Sequence, residues 1–254
     1  MRNVKNEGFI LENNKNIANI CGKIRNIEKS YSYVDARKNV NMYYRMEVEV
    51  KRLSETIDYV PVVISERILA EGDHFPKVGE FIKLTGEVRS RNFTDEEGKH
   101  HSEVFFFATE LIFCSDNDYD WTHNILQFDG FVCKPPNSYK TASGRVVTKF
   151  IVAINRKGRK NRSSYVPVVC FGNWAKHAKN LIVGDKISVN GRFQSRNYFR
   201  KQEVDNIQYT THEISCISFE SERIGTVELA GPKVVYLDEY KKQKAQKDRN
   251  KKVG

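Results

Sequence analysis

The 254-residue chain has no long run of apolar residues. A membrane-spanning helix needs about 20 mostly apolar residues in succession, so the sequence excludes a protein that crosses a membrane in this way. The first residues, MRNVKNEGFILENNKN, also lack the apolar core of a secretory signal. We therefore expect a cytoplasmic protein that makes no membrane contact.

Residue patterns that support catalysis or metal binding are also missing. The five cysteines stand singly, without a C-x-x-C pair, and three of them lie in apolar runs typical of buried strands. The sequence has no H-x-x-x-H pair, no phosphate-binding glycine loop and no paired carboxylates at a spacing suited to acid–base chemistry. We therefore predict a protein that is not an enzyme and that uses no metal or other cofactor.

What the sequence does contain is an internal repeat. The pentapeptide YVPVV occurs at 59–63 and again at 165–169. Downstream of each copy, VGEFIKLTGEVRSRNF from Val78 matches VGDKISVNGRFQSRNY from Val183. Matching pieces in the same order over about a hundred residues indicate a duplicated domain.

The repeat divides the chain into five segments, between which charge is unevenly shared. We predict an N-terminal extension (1–16), a first domain (17–115), a linker (116–127), a second domain (128–220) and a basic C-terminal tail (221–254). Residues 1–115 contain 17 Lys and Arg against 18 Asp and Glu, whereas residues 116–254 contain 25 against 14. The later segments therefore supply the net charge of +10, which favours an anionic partner such as nucleic acid.

Within each copy the residue pattern is that of β-strands. β-branched and aromatic residues are concentrated in YRMEVEV (44–50), in KFIVAI (149–154) and in both YVPVV runs. One segment per copy can form a helix, SERILAEG (65–72) and NWAKHAKNLI (173–182), and both fall between the third and fourth strand runs. About five strands with one helix at that position is the layout of an OB-fold. We predict an all-β protein with small helical content, built as two tandem OB-fold barrels.

The second copy carries a set of separated pieces at characteristic spacing, namely Tyr139 with Thr141 and Gly144, then Phe150, Ala153, Asn155 and Arg156, then PVVCFG, then GRFQSRNY. Taken together, these pieces resemble the bacterial single-stranded DNA-binding protein family along its OB domain. The first copy is similar to the family more faintly, through Gly22, YVPVV, Gly86 and SRNF. The whole chain therefore resembles a tandem OB-fold form of this family.

The resemblance implies sequence-nonspecific binding and protection of single-stranded DNA, by stacking of bases on aromatic side chains and by contacts to phosphates. The positions at which the family places its stacking aromatics are occupied by Tyr165, Phe171 and Tyr198, with Tyr59 and Phe93 as counterparts in the first copy and Tyr139 and Phe199 as weaker candidates. A role in DNA replication, recombination, repair or transfer follows from the same resemblance.

Basic residues supply the predicted phosphate contacts. The densest group lies in NRKGRKNRSSY, between two predicted strands, and the strand that follows Gly191 carries further arginines. The predicted phosphate-binding residues are Arg156, Lys157, Arg159, Lys160, Arg162, Arg192 and Arg196, with Arg91 as a counterpart in the first copy and Lys149 and Arg89 as lesser candidates.

Two expectations about partners come from the resemblance. Family members generally assemble four OB domains, which implies a homodimer for a chain with two. Their tails usually end in an acidic tip that recruits other proteins, whereas this sequence ends in the basic stretch DEYKKQKAQKDRNKKVG. We therefore expect no recruitment of those usual partners through the tail.

The residues alone leave two other functions open. The near-neutral first copy has Ser65 where the second has Phe171, so an OB-fold module that docks a protein of a replication or mobile-element complex is one alternative. RNA binding is the other, because stacking and phosphate contacts give little reason to reject a 2′-hydroxyl. Mutation of Tyr165, Phe171 and Tyr198 separates a strand binder, which should lose its substrate, from a docking module, which should keep its partner.

Overall fold

The computed structural model describes residues 15–34, 38–52, 54–71, 74–94, 98, 100–116, 123–156, 162–201 and 206–223, without the side chains of 197–201 and 206–209. The strands within these ranges are β1 (Asn16–Val34), β2 (Val40–Lys51), β3 (Ile57–Ser65), β4 (Phe81–Thr94), β5 (His100–Cys114), β6 (Ile125–Val132), β7 (Asn137–Lys140), β8 (Val146–Asn155), β9 (Ser163–Phe171), β10 (Lys186–Lys201) and β11 (Asn206–Glu222). The helices within them are α1 (Glu66–Ala70) and α2 (Gly172–Ala178).

Each copy of the repeat closes into a five-stranded barrel. The first has the hydrogen-bonded order β2-β3-β5-β4-β1, and β1 pairs back with β2. The second has the order β6-β10-β11-β9-β8, and β6 pairs back with β8, while β7 lies along the free edge of β8. The pairs β3–β5 and β9–β11 are parallel and the other pairs are antiparallel. The predicted all-β architecture of two tandem OB-fold barrels, each with one short helix, is confirmed.

Both helices are shorter than their sequence patterns predict. Helix α2 ends at Ala178, four residues before the predicted end. Beyond it, Leu181 is buried in the core and the backbone N–H of Ile182 donates to the Asp185 carboxylate at 2.9 Å. The chain leaves the helix because these two contacts hold it in a turn that leads into β10. Neither α1 nor α2, the helices of the described part of the chain, has the length and apolar character needed to cross a membrane.

Glycine occupies the points at which strands of one barrel pass closest to each other. An added β-carbon on Gly130 would lie 2.5 Å from the carbonyl oxygen of Ala153, inside the contact distance of any real side chain. The same obstruction by a facing strand exists at Gly22, Gly86 and Gly191. Only a residue without a β-carbon fits such an approach, and the barrel geometry thus accounts for the glycines that the two copies share.

The two barrels are joined through a strand pair and a shared core. Strand β1 pairs antiparallel with β6, from Asn16 opposite Phe128 to Asn19 opposite Ile125, so that the described strands form one eleven-stranded sheet. Phe106 of the first barrel and Phe193 of the second are both fully buried, with ring centroids 6.1 Å apart. All described residues belong to one compact unit that extends to Arg223.

The repeated sequence motifs meet each other at the boundary between the barrels. The backbone N–H of Tyr59, in the first YVPVV, donates to Ser195 Oγ of the second S-R-N at 3.0 Å. The backbone N–H of Tyr165, in the second YVPVV, donates to Ser90 Oγ of the first S-R-N at 2.7 Å. Both motifs therefore take part in one reciprocal interdomain contact, which is a structural reason for their presence in both copies.

A buried carboxylate strengthens one side of this contact. Asp58 is fully buried and accepts hydrogen bonds from Arg52 Nε at 2.6 Å and from the backbone N–H and hydroxyl of Ser195 at 2.7 and 3.3 Å. On the other side, Arg156 holds the position of Arg52 and donates to Ser164 Oγ at 3.0 Å. A buried charge needs such partners to offset its desolvation, so Asp58 couples the boundary to the folding of both barrels.

We predict that Asp58→Ala lowers the free energy of unfolding by about 3 to 5 kcal/mol, because it leaves the Arg52 guanidinium without its carboxylate. Urea unfolding followed by circular dichroism measures the loss. The control is Glu55→Ala, whose carboxylate pairs with Lys51 but is 78% exposed, and which should cost at most about 1 kcal/mol. Equal losses in the two variants would contradict the structural role of Asp58.

Candidate nucleic-acid interface

The exposed ring of Tyr165 lies at the boundary between the barrels. Its side chain is 46% exposed. It lines a cavity of about 360 Å³ together with Arg91 of the first barrel and Arg156 and Arg162 of the second. One aromatic and three cations singled out from the sequence thus come together across the boundary. The arrangement offers a π-face and positive charge in one place, which is what an unpaired nucleotide requires.

The basic segment between β8 and β9 contributes to this cavity through its two ends. The guanidinium of Arg156 donates to the carbonyl of Ser90 and to Ser164 Oγ, so this side chain also ties the barrels together. Arg162 is exposed to solvent. The predicted phosphate-binding residues Lys157, Arg159 and Lys160 lie outside the described residues.

Phe171 marks the point at which β9 leads into α2. Its ring is half-buried, and the guanidinium carbon of Arg196 lies 5.4 Å from the ring centroid. Arg196 Nε is 2.6 Å from one oxygen of Glu213, and Lys149 Nζ is 2.8 Å from the other. A nearly buried carboxylate therefore neutralises part of the positive charge predicted here, and a phosphate would compete with it for both cations.

Three further predicted residues, Arg192, Tyr198 and Phe199, lie on β10. Arg192 is half-buried, and burial, followed by the nearby charge of Arg52, lowers the pKa of its guanidinium. The backbones of Tyr198 and Phe199 belong to β10, and their side chains are outside the described part of the chain.

Tyr59, the first-barrel counterpart of Tyr165, is half-buried. The guanidinium carbon of Arg25 lies 4.4 Å from its ring centroid. Its carbonyl accepts a hydrogen bond of 3.0 Å from Nε2 of His212, on β11 of the second barrel. Arg25 thus packs against the ring of Tyr59, and His212 of the second barrel binds the backbone carbonyl of Tyr59.

Phe93 and Arg91 form an exposed pair at the far end of β4. The Phe93 ring is stacked on His101 with centroids 5.2 Å apart, and the Arg91 guanidinium lies 5.5 Å from the Phe93 centroid. Arg91 Nε is also 2.7 Å from a Glu103 oxygen. Burial raises the pKa of the Glu103 carboxyl, but the hydrogen bonds and charges of Arg45 and Arg91 outweigh burial and leave this pKa below the usual value. The carboxylate thus stays ionised and partly neutralises Arg91.

The structure adds an aromatic cluster that the sequence analysis missed. Tyr31 and Tyr43 are stacked with centroids 5.0 Å apart, Tyr33 lies 5.9 Å from Tyr43, and Tyr43 lies 6.0 Å from Phe107. We call these four residues the tyrosine cluster. The signal was the alternation of Tyr31 and Tyr33 along one strand, opposite Tyr43 on the next. Only the first copy continues its opening strand this far, from Asn16 to Val34, whereas the opening strand of the second copy ends at Val132.

The tyrosine cluster faces arginines of both barrels. It lines a cavity of about 370 Å³ with Arg89 of its own barrel and with Arg156 and Arg162 of the second. The Arg89 guanidinium lies 3.5 Å from the Phe107 centroid, and Arg89 also pairs with Glu87 at 3.0 Å. Burial raises the pKa of Tyr31 and of Tyr43 above the usual value for a phenol, which keeps both rings neutral at neutral pH.

Among the described residues, no group of three or more histidine, cysteine, aspartate or glutamate side chains is placed to hold a metal ion. The remaining features, two OB-fold barrels with aromatics and arginines along their boundary, are those of the OB-fold proteins that bind oligonucleotides.

Comparison with known proteins finds a family match in the second barrel. Residues 123–219 match the single-strand binding protein family. Over 71 residues the chain is 34% identical to a single-stranded DNA-binding protein of Clostridium tetani (strain Massachusetts / E88), covering 26% of this chain and 49% of that protein. The chain thus spans about half the length of this curated relative. The match lies in the second barrel, and the resemblance predicted from the sequence is confirmed.

Solved structures extend the likeness to both barrels. The wild-type single-stranded DNA binding protein from Thermus aquaticus superposes with a TM-score of 0.63 at 17% identity, covering 85% of this chain and 96% of that one. A deletion mutant of that protein gives a TM-score of 0.60 at 18% identity, covering 84% and 97%. At these identities the likeness concerns the fold alone, and the fold is that of the whole two-barrel chain.

The interdomain contact of His212 predicts a pH dependence. Burial lowers the pKa of its imidazole below the usual 6.5, partly offset by the Tyr59 carbonyl and by Glu103. Below pH 6.5 the unfolded chain therefore binds a proton that the folded chain resists, so stability decreases as the pH falls from 6.5 towards the lowered pKa. His212→Gln keeps a donor for the Tyr59 carbonyl and should lose less stability than wild type between pH 7 and pH 5.

Urea unfolding at several pH values measures this difference. The exposed His177 on α2 provides the control, because His177→Gln should follow the pH profile of the wild type. Identical profiles for wild type and His212→Gln would show that the interdomain histidine does not contribute.

Proposed function

We propose that this protein binds single-stranded DNA without sequence specificity, as a non-enzymatic binding protein. The observation that carries the proposal is the cavity at the boundary, in which Tyr165 lies beside Arg91, Arg156 and Arg162. The family match of residues 123–219 supports the same substrate. Base faces stack on aromatic rings with little regard to sequence, at about 1 to 3 kcal/mol per base, and arginines bind the phosphates between them.

The arginines proposed to bind phosphate differ in their exposure and in their contacts to carboxylates of the protein. Arg162 is exposed, whereas Arg196 must exchange its contact with Glu213 for a phosphate. We therefore assign the stronger phosphate contact to Arg162. Tyr165 and Phe171 are the proposed stacking residues of the second barrel, and the other residues proposed from the sequence to contact DNA are Tyr198, Lys157, Arg159, Lys160, Arg192, Tyr59, Phe93 and Arg91.

The test is fluorescence anisotropy with a labelled thymidine oligomer, compared with a duplex of equal length. We expect strong preference for the single strand, and affinity that falls steeply with salt because phosphate contacts release counterions. Tyr165→Ala should weaken binding by about tenfold, the value of one lost stacking contact.

The matched control for this variant is Phe75→Ala. Phe75 is an aromatic residue with 44% exposure, close to the 46% of Tyr165, and it lies outside the boundary cavities. Its loss should leave the affinity within about twofold. If the wild type binds single strand and duplex equally, the proposal is wrong and a protein partner becomes the function to test. A uridine oligomer in the same assay compares DNA with RNA.

The family match of residues 123–219 also supports a place in DNA metabolism. We propose that the protein protects single strands that are exposed during replication, recombination or repair. Strand protection needs tight, sequence-tolerant binding and no chemistry.

We further propose that two chains associate as a homodimer through the outer face of the joined sheet. The cross-strand register places Ile17, Ile112 and Ile125 on that face, and all three are exposed. The face is continuous across both barrels because β1 pairs with β6. A second copy could cover the same residues with its own, as a two-fold interface requires.

Sedimentation equilibrium tests the dimer. The wild type should have twice the mass of the chain, and the double variant Ile17→Glu/Ile125→Glu should have the mass of a single chain, because it would place like charges across the interface. Ile182→Glu is the control, since Ile182 is an exposed isoleucine of the turn before β10. A wild type that sediments as a single chain would refute the proposal.

A further inference from the structure

Three surface cavities of the two barrels are connected through shared residues. A cavity of about 650 Å³ beside α1 and the cavity that the tyrosine cluster faces both have Tyr43 and Phe107 in their walls. The latter cavity and the one at Tyr165 both have Arg156 and Arg162 in their walls. The three therefore form one path, which starts on the first barrel, passes two arginines of the second and ends at Tyr165.

The middle part of this path has an unusual lining. Among the described residues, its walls consist of the four aromatic side chains of the tyrosine cluster and three arginines, with no carboxylate. A cluster that served only to join β1 and β2 would need the cross-strand pair of Tyr31 with Tyr43. It would not need Arg156 and Arg162, which reach it from the other barrel. Aromatic faces beside arginines are the groups that bind bases and phosphates of a single strand.

The first barrel also lacks the stacking residue that the second barrel has at the end of its third strand. Ser65 stands there in place of Phe171, and it borders the cavity beside α1. Tyr43 and Phe107 border the same cavity from the neighbouring strands β2 and β5. The hairpin tyrosines can therefore supply the stacking faces that the third strand of this barrel does not.

We propose that the tyrosine cluster is a second base-binding site, and that one continuous single strand runs from it, past Arg156 and Arg162, to Tyr165. This inference rests on the proposed function, since it assigns a further part of the same single-stranded DNA site. It makes the first barrel a binding domain in its own right, with Arg162 as the phosphate contact at the crossing between barrels.

The first experiment measures affinity against oligomer length. One OB-fold binds about 4 to 16 nucleotides, so thymidine oligomers of about 8 and about 30 nucleotides occupy one barrel and both barrels. The double variant Tyr31→Ala/Tyr33→Ala removes the two most exposed rings of the cluster, which are 41% and 39% exposed. The gain in affinity from the shorter to the longer oligomer should fall by about tenfold or more.

Two control variants separate the loss of a base contact from damage to the fold. Tyr31→Phe/Tyr33→Phe keeps the ring faces and should retain the wild-type gain, and Phe75→Ala should retain it as well. Thermal unfolding of each variant reports any damage to the hairpin. If the alanine double variant folds and keeps the full gain, the path is wrong while the proposed function stands. If the wild type binds no single strand at all, the proposed function is overturned, and the path with it.

A second experiment tests the crossing itself. Arg162→Gln should weaken binding of the longer oligomer and should lower the slope of log affinity against log salt by about 0.7, the value of one phosphate contact on a single strand. Arg145→Gln is the control, because Arg145 is an exposed arginine of the turn between β7 and β8 and borders none of the three cavities. An unchanged slope in Arg162→Gln would contradict a phosphate at the crossing.

Discussion

The reciprocal contact between the YVPVV strand of one barrel and the S-R-N strand of the other fixes how the two barrels sit together. Each tyrosine N–H bonds to a serine of the other barrel, at 3.0 Å for Tyr59 and 2.7 Å for Tyr165. Asp58 adds a fully buried carboxylate to one of these bonds. Because a buried charge without partners is costly, this boundary resists sliding or opening. The cavities at Tyr165 and at the tyrosine cluster both depend on it, since each combines residues of both barrels.

Duplication has left the boundary similar in geometry and different in chemistry. One side holds the ion pair of Arg52 with Asp58, whereas the other holds Arg156 on the neutral Ser164. The guanidinium of Arg156 also borders two of the cavities. The two barrels also differ in where their partly exposed aromatic residues lie. In the second barrel Phe171 ends the third strand, whereas in the first barrel Tyr31, Tyr33 and Tyr43 lie on the opening hairpin.

Several predicted phosphate-binding arginines are partly neutralised by the protein itself. Arg196 pairs with Glu213 and Arg91 with Glu103. Each exchange of such a carboxylate for a phosphate recovers only part of the attraction that an unpaired cation would give. Affinity for a strand should then depend most on aromatic contacts and on the exposed Arg162, and the carboxylates hold the arginines in place when no strand is bound.

The sequence by itself determined the duplication, the OB-fold and the family resemblance, because the glycines, strand patterns and motifs that encode a barrel are local and were present twice. It also indicated Tyr165 and Arg162, whose side chains the structure shows to be exposed. Tertiary structure alone decided the rest. That Tyr59 and Ser195 meet across the barrels, that Glu213 takes up the charge of Arg196, and that Tyr31 faces an arginine of the other barrel all depend on contacts between residues about 20 to 140 positions apart. The contact of Arg196 with Glu213 is set by the pairing of β10 with β11, and the other two are set by how the barrels pack. No local pattern of residues specifies either.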